Sequence, residues 1–295
     1  MLKKYVFKPG IDKEGTSYSE EGGWYDADKV RFRSGLPEKI GGWLKNTTNT
    51  FTGTCRNMHS YRDQGQTDYV GIGTHLKYYL KIGDNFHDIT PIRETTSAGD
   101  VTFAATNGDA TITVTDTSHG ANINDFVTFS GAATLGGNIT ANVLNQEYQV
   151  ATVVNVNSYT IEAKDTDGVT VTANSSDSGS GGGSVVGAYQ INVGIDEYVK
   201  GTGWGADSWG DGTFGSISEL SSSNQLRLWS QDNFGDDLIS CVRGGGIYLW
   251  DESAGETQRA IPFSSISGAS NPPTLALQIM ISALDRHINY IGTNH

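Results

Sequence analysis

Six histidines, two cysteines and a surplus of carboxylates are the side chains here that could carry chemistry, and their spacing decides which chemistry is open to them. His59, His75, His87, His119, His287 and His295 never fall at metal-ligand spacing, and no GxSxG or HExxH pattern occurs. Cys55 and Cys241 stand far apart, with no CxxC and no Cys/His pairing, so both are expected as buried free thiols and not as a disulfide or a zinc site. Asp165-Thr-Asp-Gly168 opens like a calcium loop but lacks the later oxygen ligand and the closing glutamate, which makes it a hairpin turn. The glycine runs at 179–183 and 201–205 lack the flanking strand and helix that a phosphate-cradling loop needs. Asp232, Asp236, Asp237, Asp251 and Glu252 crowd together as an acidic surface would, with nothing to single out an acid/base pair. The expectation is therefore no catalytic residue, no metal ligand and no cofactor.

Charge narrows the partners. Thirty-three acidic against 20 basic residues give a net charge of −13, which opposes tight binding to a phosphate backbone, because such binding needs Lys and Arg to release counterions. Nucleic acid could pass such a surface without being gripped. No stretch of eighteen apolar residues is present, and Met1-Leu2-Lys3-Lys4-Tyr5-Val6-Phe7 has no apolar core of signal-peptide length. Synthesis in the cytosol without stable membrane insertion is expected.

Thirty-eight glycines with only six prolines, among many Thr, Ser, Val and Tyr, favour short strands joined by glycine turns, so the chain reads as all-β. Internal repeats refine this. Tyr69-Val-Gly-Ile-Gly-Thr-His75, Leu76–Leu80 and Asp88–Ile92 repeat in kind as Leu238–Val242, Ile247–Trp250 and Arg259–Phe263, and Arg286–His295 matches the opening strand a third time. The last two lie at the spacing of four-stranded propeller blades, roughly 40–50 residues. The reading is a partial β-propeller of about three to four blades. It ends mid-blade, which implies further chain after His295.

Between the first two units the texture changes to Thr/Val/Asn with period-2 alternation, as in Ala110–Thr115, Asp125–Phe129 and Ser158–Ala163. The domain reading is 1–96 as an N-terminal arm and first blade, 97–184 as an inserted small β-sandwich or barrel, and 185–295 as further blades. The Ser/Gly composition of 175–184 reads as a flexible linker, so the module is expected to face outward and to be deletable. A blade is expected between Tyr189 and Trp229, carrying a loop in which Trp204, Trp209 and Phe214 cover a blade edge or present a contact surface. With Arg31, Arg33 and Trp43 these are the interaction candidates; the basic residues alternate with Val30 and Phe32 along one strand.

Trp24-Tyr-Asp-Ala-Asp-Lys-Val-Arg-Phe-Arg-Ser-Gly-Leu-Pro-Glu-Lys-Ile-Gly-Gly-Trp43, with Gly53–Arg56, Gly71–His75 and Asp88–Arg93, resembles the tail nozzle and packaged-DNA stabilisation proteins of short-tailed bacteriophages. That resemblance implies a virion structural protein, made in the host cytoplasm and assembled in a ring, commonly of six copies. It implies as partners the portal, its adaptor and other tail proteins, and genomic DNA that passes without sequence-specific binding. Two other readings compete. Trp204, Trp209, Tyr248 and Trp250 would suit a receptor-binding adhesin that takes host glycans. Ser208-Trp-Gly-Asp-Gly-Thr-Phe214 is similar to the Asp-box turn of sialidase-type propellers, but its aspartate sits one place late and it does not recur, which weakens a glycoside hydrolase reading.

Overall fold

The computed structural model describes residues 8–16, 18, 22–42, 44–194, 226–282, 285 and 287–292. The chain divides into two units, Met1–Thr48 and Asn49–His295. In the first, β1 (Val30–Arg33) pairs antiparallel with β2 (Leu36–Lys39). Ser34 and Gly35 both take positive φ, 51° and 82°, the backbone that lets a two-residue turn match the twist of a hairpin. Val30 and Phe32 are half-buried and alternate with exposed Arg31 and Arg33, as the sequence pattern requires. Trp24 lies 6.3 Å from the Phe32 ring. Among the described residues of this unit none is buried.

The second unit opens with a four-stranded antiparallel meander: β3 (Cys55–Arg62), β4 (Asp68–Thr74), β5 (Tyr78–Ile82) and β6 (Asn85–Asp88). The inserted module follows. Its strands are β7 (Ile92–Thr95), β8 (Thr102–Ala105), β9 (Thr111–Thr115), β10 (Phe126–Ser130), β11 (Glu147–Gln149), β12 (Thr152–Asn155), β13 (Ser158–Glu162), β14 (Asp177–Ser180) and β15 (Val186–Gln190), with one helical turn at Ala141–Leu144. They form two sheets, ordered β11-β10-β15-β7 and β12-β13-β9-β8-β14. Phe103, Val114, Phe129, Tyr159 and Ile161 fill the space between them, so the module is a sandwich.

A second four-stranded meander follows, with β16 (Trp229–Phe234), β17 (Asp237–Val242), β18 (Ile247–Trp250) and β19 (Ile261–Pro262). A hairpin of β20 (Gln278–Ser282) and β21 (His287–Ile291) completes the order. The all-β, propeller-type reading therefore holds: the described residues form two four-stranded blades and a further two-stranded hairpin. Each repeat unit read from sequence is preceded by one more strand, β3, β16 or β20.

Three expectations are corrected. Tyr189–Val193 does not begin a blade, because β15 pairs with β10 and β7 inside the sandwich, and β3 meets β16 directly through side-chain bonds. The segment 175–184 is not a linker. Asp177–Ser180 pairs with β8, and Gly181, at φ +74°, lies against the Phe103 ring, where a Cβ would stand 2.7 Å from it. Nor does the module hang free: β7 and β15, outside 97–184, belong to its sheet, and its Glu147 is bonded to the first blade.

Blade contact explains the glycines of β4. A Cβ on Gly73 would collide with the Trp229 ring, and one on Gly71 with the side chains of Gln231 and Leu238. Gly73→Ala is expected to lower stability by about 1–3 kcal/mol in denaturant titration, since the two backbones would be forced apart. Gly183→Ala, with open space at its Cβ, is the neutral comparison.

Candidate functional site

The first strands of the blades, β3, β16 and β20, lie side by side, and β16 in the middle is read on both faces. Its odd-numbered side chains reach the first blade. Trp229 Nε1 donates to Thr74 O at 2.8 Å, and Gln231 Nε2 donates to Asn57 Oδ1 at 2.6 Å. Gln231 Oε1 accepts from Tyr78 OH at 2.6 Å, and Asn233 Oδ1 stands 3.2 Å from His59 Nε2. The even-numbered ones reach the third hairpin. Ser230 Oγ bonds both the carbonyl and the N–H of Ile279 at 3.1 Å, and Asp232 Oδ2 accepts from Ile281 N at 3.0 Å. Aromatic stacking reinforces the first junction, with Tyr78 on Trp229 at 4.6 Å.

The two ends of this array carry opposite charge. At one end are Arg56, Arg227 and Arg243: Arg56 Nη1 donates to Arg227 O at 3.1 Å, and Arg243 N to Leu228 O at 3.0 Å. Arg227 is buried, donates from Nε to Val193 O at 2.9 Å, and has no partner for Nη2 among the described residues; burial pulls its pKa down to about 10. An open depression of about 580 Å³ lies at this end, with Trp229, Arg243 and Gln278 in its lining and no carboxylate. At the other end the turns bring together Asp63, Asp236, Asp237, Asp251 and Glu252. Burial raises the Asp237 carboxyl, and Asp251 and Asp236 raise it further. Burial likewise raises the Tyr69 hydroxyl, with Asp63 and Glu252 adding to it.

Behind the blades lies an ion cluster that joins three parts of the chain. Lys77, before β5, is ion-paired to Asp88 at 2.8 Å and to Glu147 of the module, and its Nζ sits 4.5 Å from the Phe126 ring centroid. Arg259 of the second blade reaches Asp88 at 3.2 Å and Glu147 at 3.5 Å, while Gln190 Nε2 donates to Glu147 Oε2 at 2.6 Å. Burial pulls the Lys77 pKa down, but Asp88 and Glu147 outweigh it and hold the ammonium above its ordinary value. Burial pushes Asp88 up, yet Lys77 and Arg259 hold it below the usual carboxylate range.

The linkage has a definite sign. A depressed Asp88 contributes stability that is present above the unfolded carboxylate value of about 3.9 and is lost as pH falls through the lower folded value. A raised Lys77 contributes stability that is complete below about 10.4 and is lost as pH rises through its higher folded value. Thermal unfolding followed against pH is therefore expected to show an acid-side loss that Asp88→Asn reduces. An unchanged acid limb in that variant contradicts the assignment.

The described histidines serve the backbone and its neighbours. His75 Nδ1 accepts from Thr54 N at 2.8 Å, and His119 Nδ1 accepts from Ala121 N at 3.0 Å. Asp165 Oδ1 accepts from the N–H groups of Asp167 and Val169, which makes 165–168 the hairpin turn expected. Cys241 is buried, its thiol pushed up to about 12 by burial, and Cys55 is half-buried and also raised by burial. Among the described residues no group of three or more His, Cys, Asp or Glu could hold a metal ion, and no helix is long and apolar enough to cross a membrane.

Of the interaction candidates, Arg31 is bonded through Nε to Glu38 at 3.1 Å and Arg33 is exposed on the same strand. Trp43, Trp204, Trp209 and Phe214 lie outside the described residues, as do His295 and the Asp-box-like turn. Trp250 is corrected as a sugar platform, since it is buried against Tyr69 at 5.7 Å. Sequence reading missed the Lys77 cluster. Its directly bonded members lie up to 171 positions apart, as Asp88 and Arg259 do, and the only local signal was Asp88 in the Asp-Ile-Thr-Pro motif, where it also caps Thr90 N at 2.9 Å.

No protein family matches the sequence, and no curated protein does. Among solved structures, the phage phi92 endosialidase is similar over 84% of this chain, with 15% sequence identity and a TM-score of 0.25. The chain spans 35% of that protein's length.

Proposed function

We propose that the protein is a structural component of a bacteriophage tail, of the nozzle or hub class, that closes the head-to-tail channel, retains packaged DNA and conducts it during ejection. The observation that carries this reading is the use made of the inner strands. Their amides, hydroxyls and indole are spent on bonds between blades, as in a scaffold, and are not left converging on a reacting atom. The resemblance of residues 24–43, 53–56, 71–75 and 88–93 supplies the class. The acidic net charge suits a wall that DNA slides past, because each Lys or Arg bond to phosphate would have to be broken during ejection. On this reading the partners are other copies in a ring, the portal or its adaptor, and passing DNA.

Locating the chain in density of the whole virion tests it. A ring of copies beside the portal is the expected result, and absence from the tail overturns the reading. A glycan-binding adhesin is the second reading, favoured by the open depression beside Trp229 and Arg243. It requires a position at the distal tip and binding on a glycan array.

A further inference from the structure

We infer that the depression at the arginine end of the blades seats an acidic, aliphatic peptide segment of a partner protein. The segment's carboxylate meets Arg243, and its aliphatic side chain lies among Leu228, Leu277 and Ile291. This goes beyond the tail reading and does not depend on it.

The first observation is which polar groups of the lining remain unspent. Asn57, Ser230 and Gln231 line the depression, but their atoms are committed to the blade junctions. Asn57 Nδ2 donates to Trp229 O at 2.9 Å and its Oδ1 accepts from Gln231; Gln231 Oε1 accepts from Tyr78, and Ser230 Oγ bonds Ile279. Arg243 and Gln278 differ. Both are exposed, and among the described residues neither the guanidinium nor the side-chain amide has a hydrogen-bond or ion-pair partner. The described lining thus offers one cation and one unspent amide, with no carboxylate. On a chain of net charge −13 that is a local reversal of sign, and it selects an anion. A guanidinium fork suits a carboxylate, which it holds through two parallel bonds.

The second observation separates a peptide from a sugar. The accessible wall is aliphatic: Leu228 and Leu277 are half-buried and Ile291 is 50% exposed. Trp229, the one aromatic residue of the described lining, is 4% exposed and stacked on Tyr78, so no open ring face is left for a pyranose. Such a wall gains by covering an aliphatic side chain.

The third observation is that the wall is already set. Arg243 N donates to Leu228 O at 3.0 Å, Gly244 N to Ala276 O at 2.9 Å and Leu277 N to Ile291 O at 2.9 Å. This run of backbone bonds fixes the cation and the three aliphatic residues relative to one another, which lowers the ordering cost of binding. Gly292, at φ +68°, closes the end of β21 on Leu277, where a Cβ would stand 2.6 Å from that side chain.

Nuclear magnetic resonance on the isotope-labelled full chain tests this with two peptides, N-acetyl-Leu-Asp-Leu-amide and its Asn twin. The Asp peptide is expected to move the Arg243 Nε–H and Gln278 amide signals at roughly 1–10 mM. The Asn twin should bind about three- to tenfold more weakly, a preference that shrinks as salt rises from about 0.05 M to about 0.5 M. Arg243→Gln should abolish the preference and Arg243→Lys keep part of it, both with the thermal transition of the wild type. Ile291→Ser should weaken both peptides alike. Equal binding of the twins, shifts confined to other residues, or no binding of either peptide overturns the inference. A glucuronate disaccharide that moves the same signals at lower concentration also overturns it, and gives the depression to the glycan reading.

Discussion

Glu147→Ala is expected to cost about 2–3 kcal/mol, read as a drop in the denaturant midpoint at unchanged slope. Lys77 has a side chain only 5% exposed and counts on Glu147 as one of two carboxylates; removing it leaves the buried Lys77 and the half-buried Arg259 to share Asp88. Breaking one member of a buried ion set costs about 3–5 kcal/mol, and the 30% exposure of Glu147 reduces that. The companion variant Lys77→Met with Glu147→Leu removes charge in balance, keeps the Asp88–Arg259 pair and should recover most of the loss. A single variant within about 0.5 kcal/mol of wild type would show that the cluster does not hold the module. The same logic bears on deletion of 97–184. It strands Lys77 and Gln190, so the deleted chain should gain stability from Lys77→Met.

Trp229→Ala is expected to be the most damaging single change between the blades, at about 3–5 kcal/mol. The indole is 4% exposed, stacks on Tyr78, fills the lane left by Gly73 and gives its N–H to Thr74. Trp229→Phe keeps the stack and loses the hydrogen bond, so it should cost about 1–3 kcal/mol through an unpaired Thr74 carbonyl. Differential scanning calorimetry separates the two. Equal losses for both variants would mean that what a phenyl ring lacks, the indole N–H bond and the extra bulk, matters and the stacking does not.

Much of this fold is legible without coordinates. Alternation along Val30–Arg33 fixes which face of β1 is wet, and the glycine-turn repeats place β4, β5, β17 and β18 within a residue or two. These features are local, and periodicity reports them. The first strands of the blades were hidden for a physical reason. Cys55–Arg62 and Trp229–Phe234 carry Asn, His, Ser, Gln and Asp on faces that meet another blade, where polar side chains bond across a junction instead of pointing to water. Composition reads such strands as loops. The segment 175–184 failed in the same way: its glycines permit positive φ and close approach at Gly181 and Gly182, which a composition rule takes for flexibility. The Lys77 cluster was out of reach because each member looks like an ordinary surface charge until the module brings Glu147 to it.

The two-sided use of β16 fixes the phase of the whole array. Trp229, Gln231 and Asn233 bond the first blade, Ser230 bonds the third hairpin, and Asp232 bonds the third hairpin through Oδ2 while its Oδ1 faces His59 of the first blade at 3.8 Å. Sliding the strand by one residue would turn an indole toward the backbone of Ile279 and a carboxylate toward Gly73, so both junctions fail together. Neighbouring blades are therefore not interchangeable tiles. Each is keyed to its predecessor and its successor by a different chemistry, and the order in which the blades can be assembled is written into one six-residue strand.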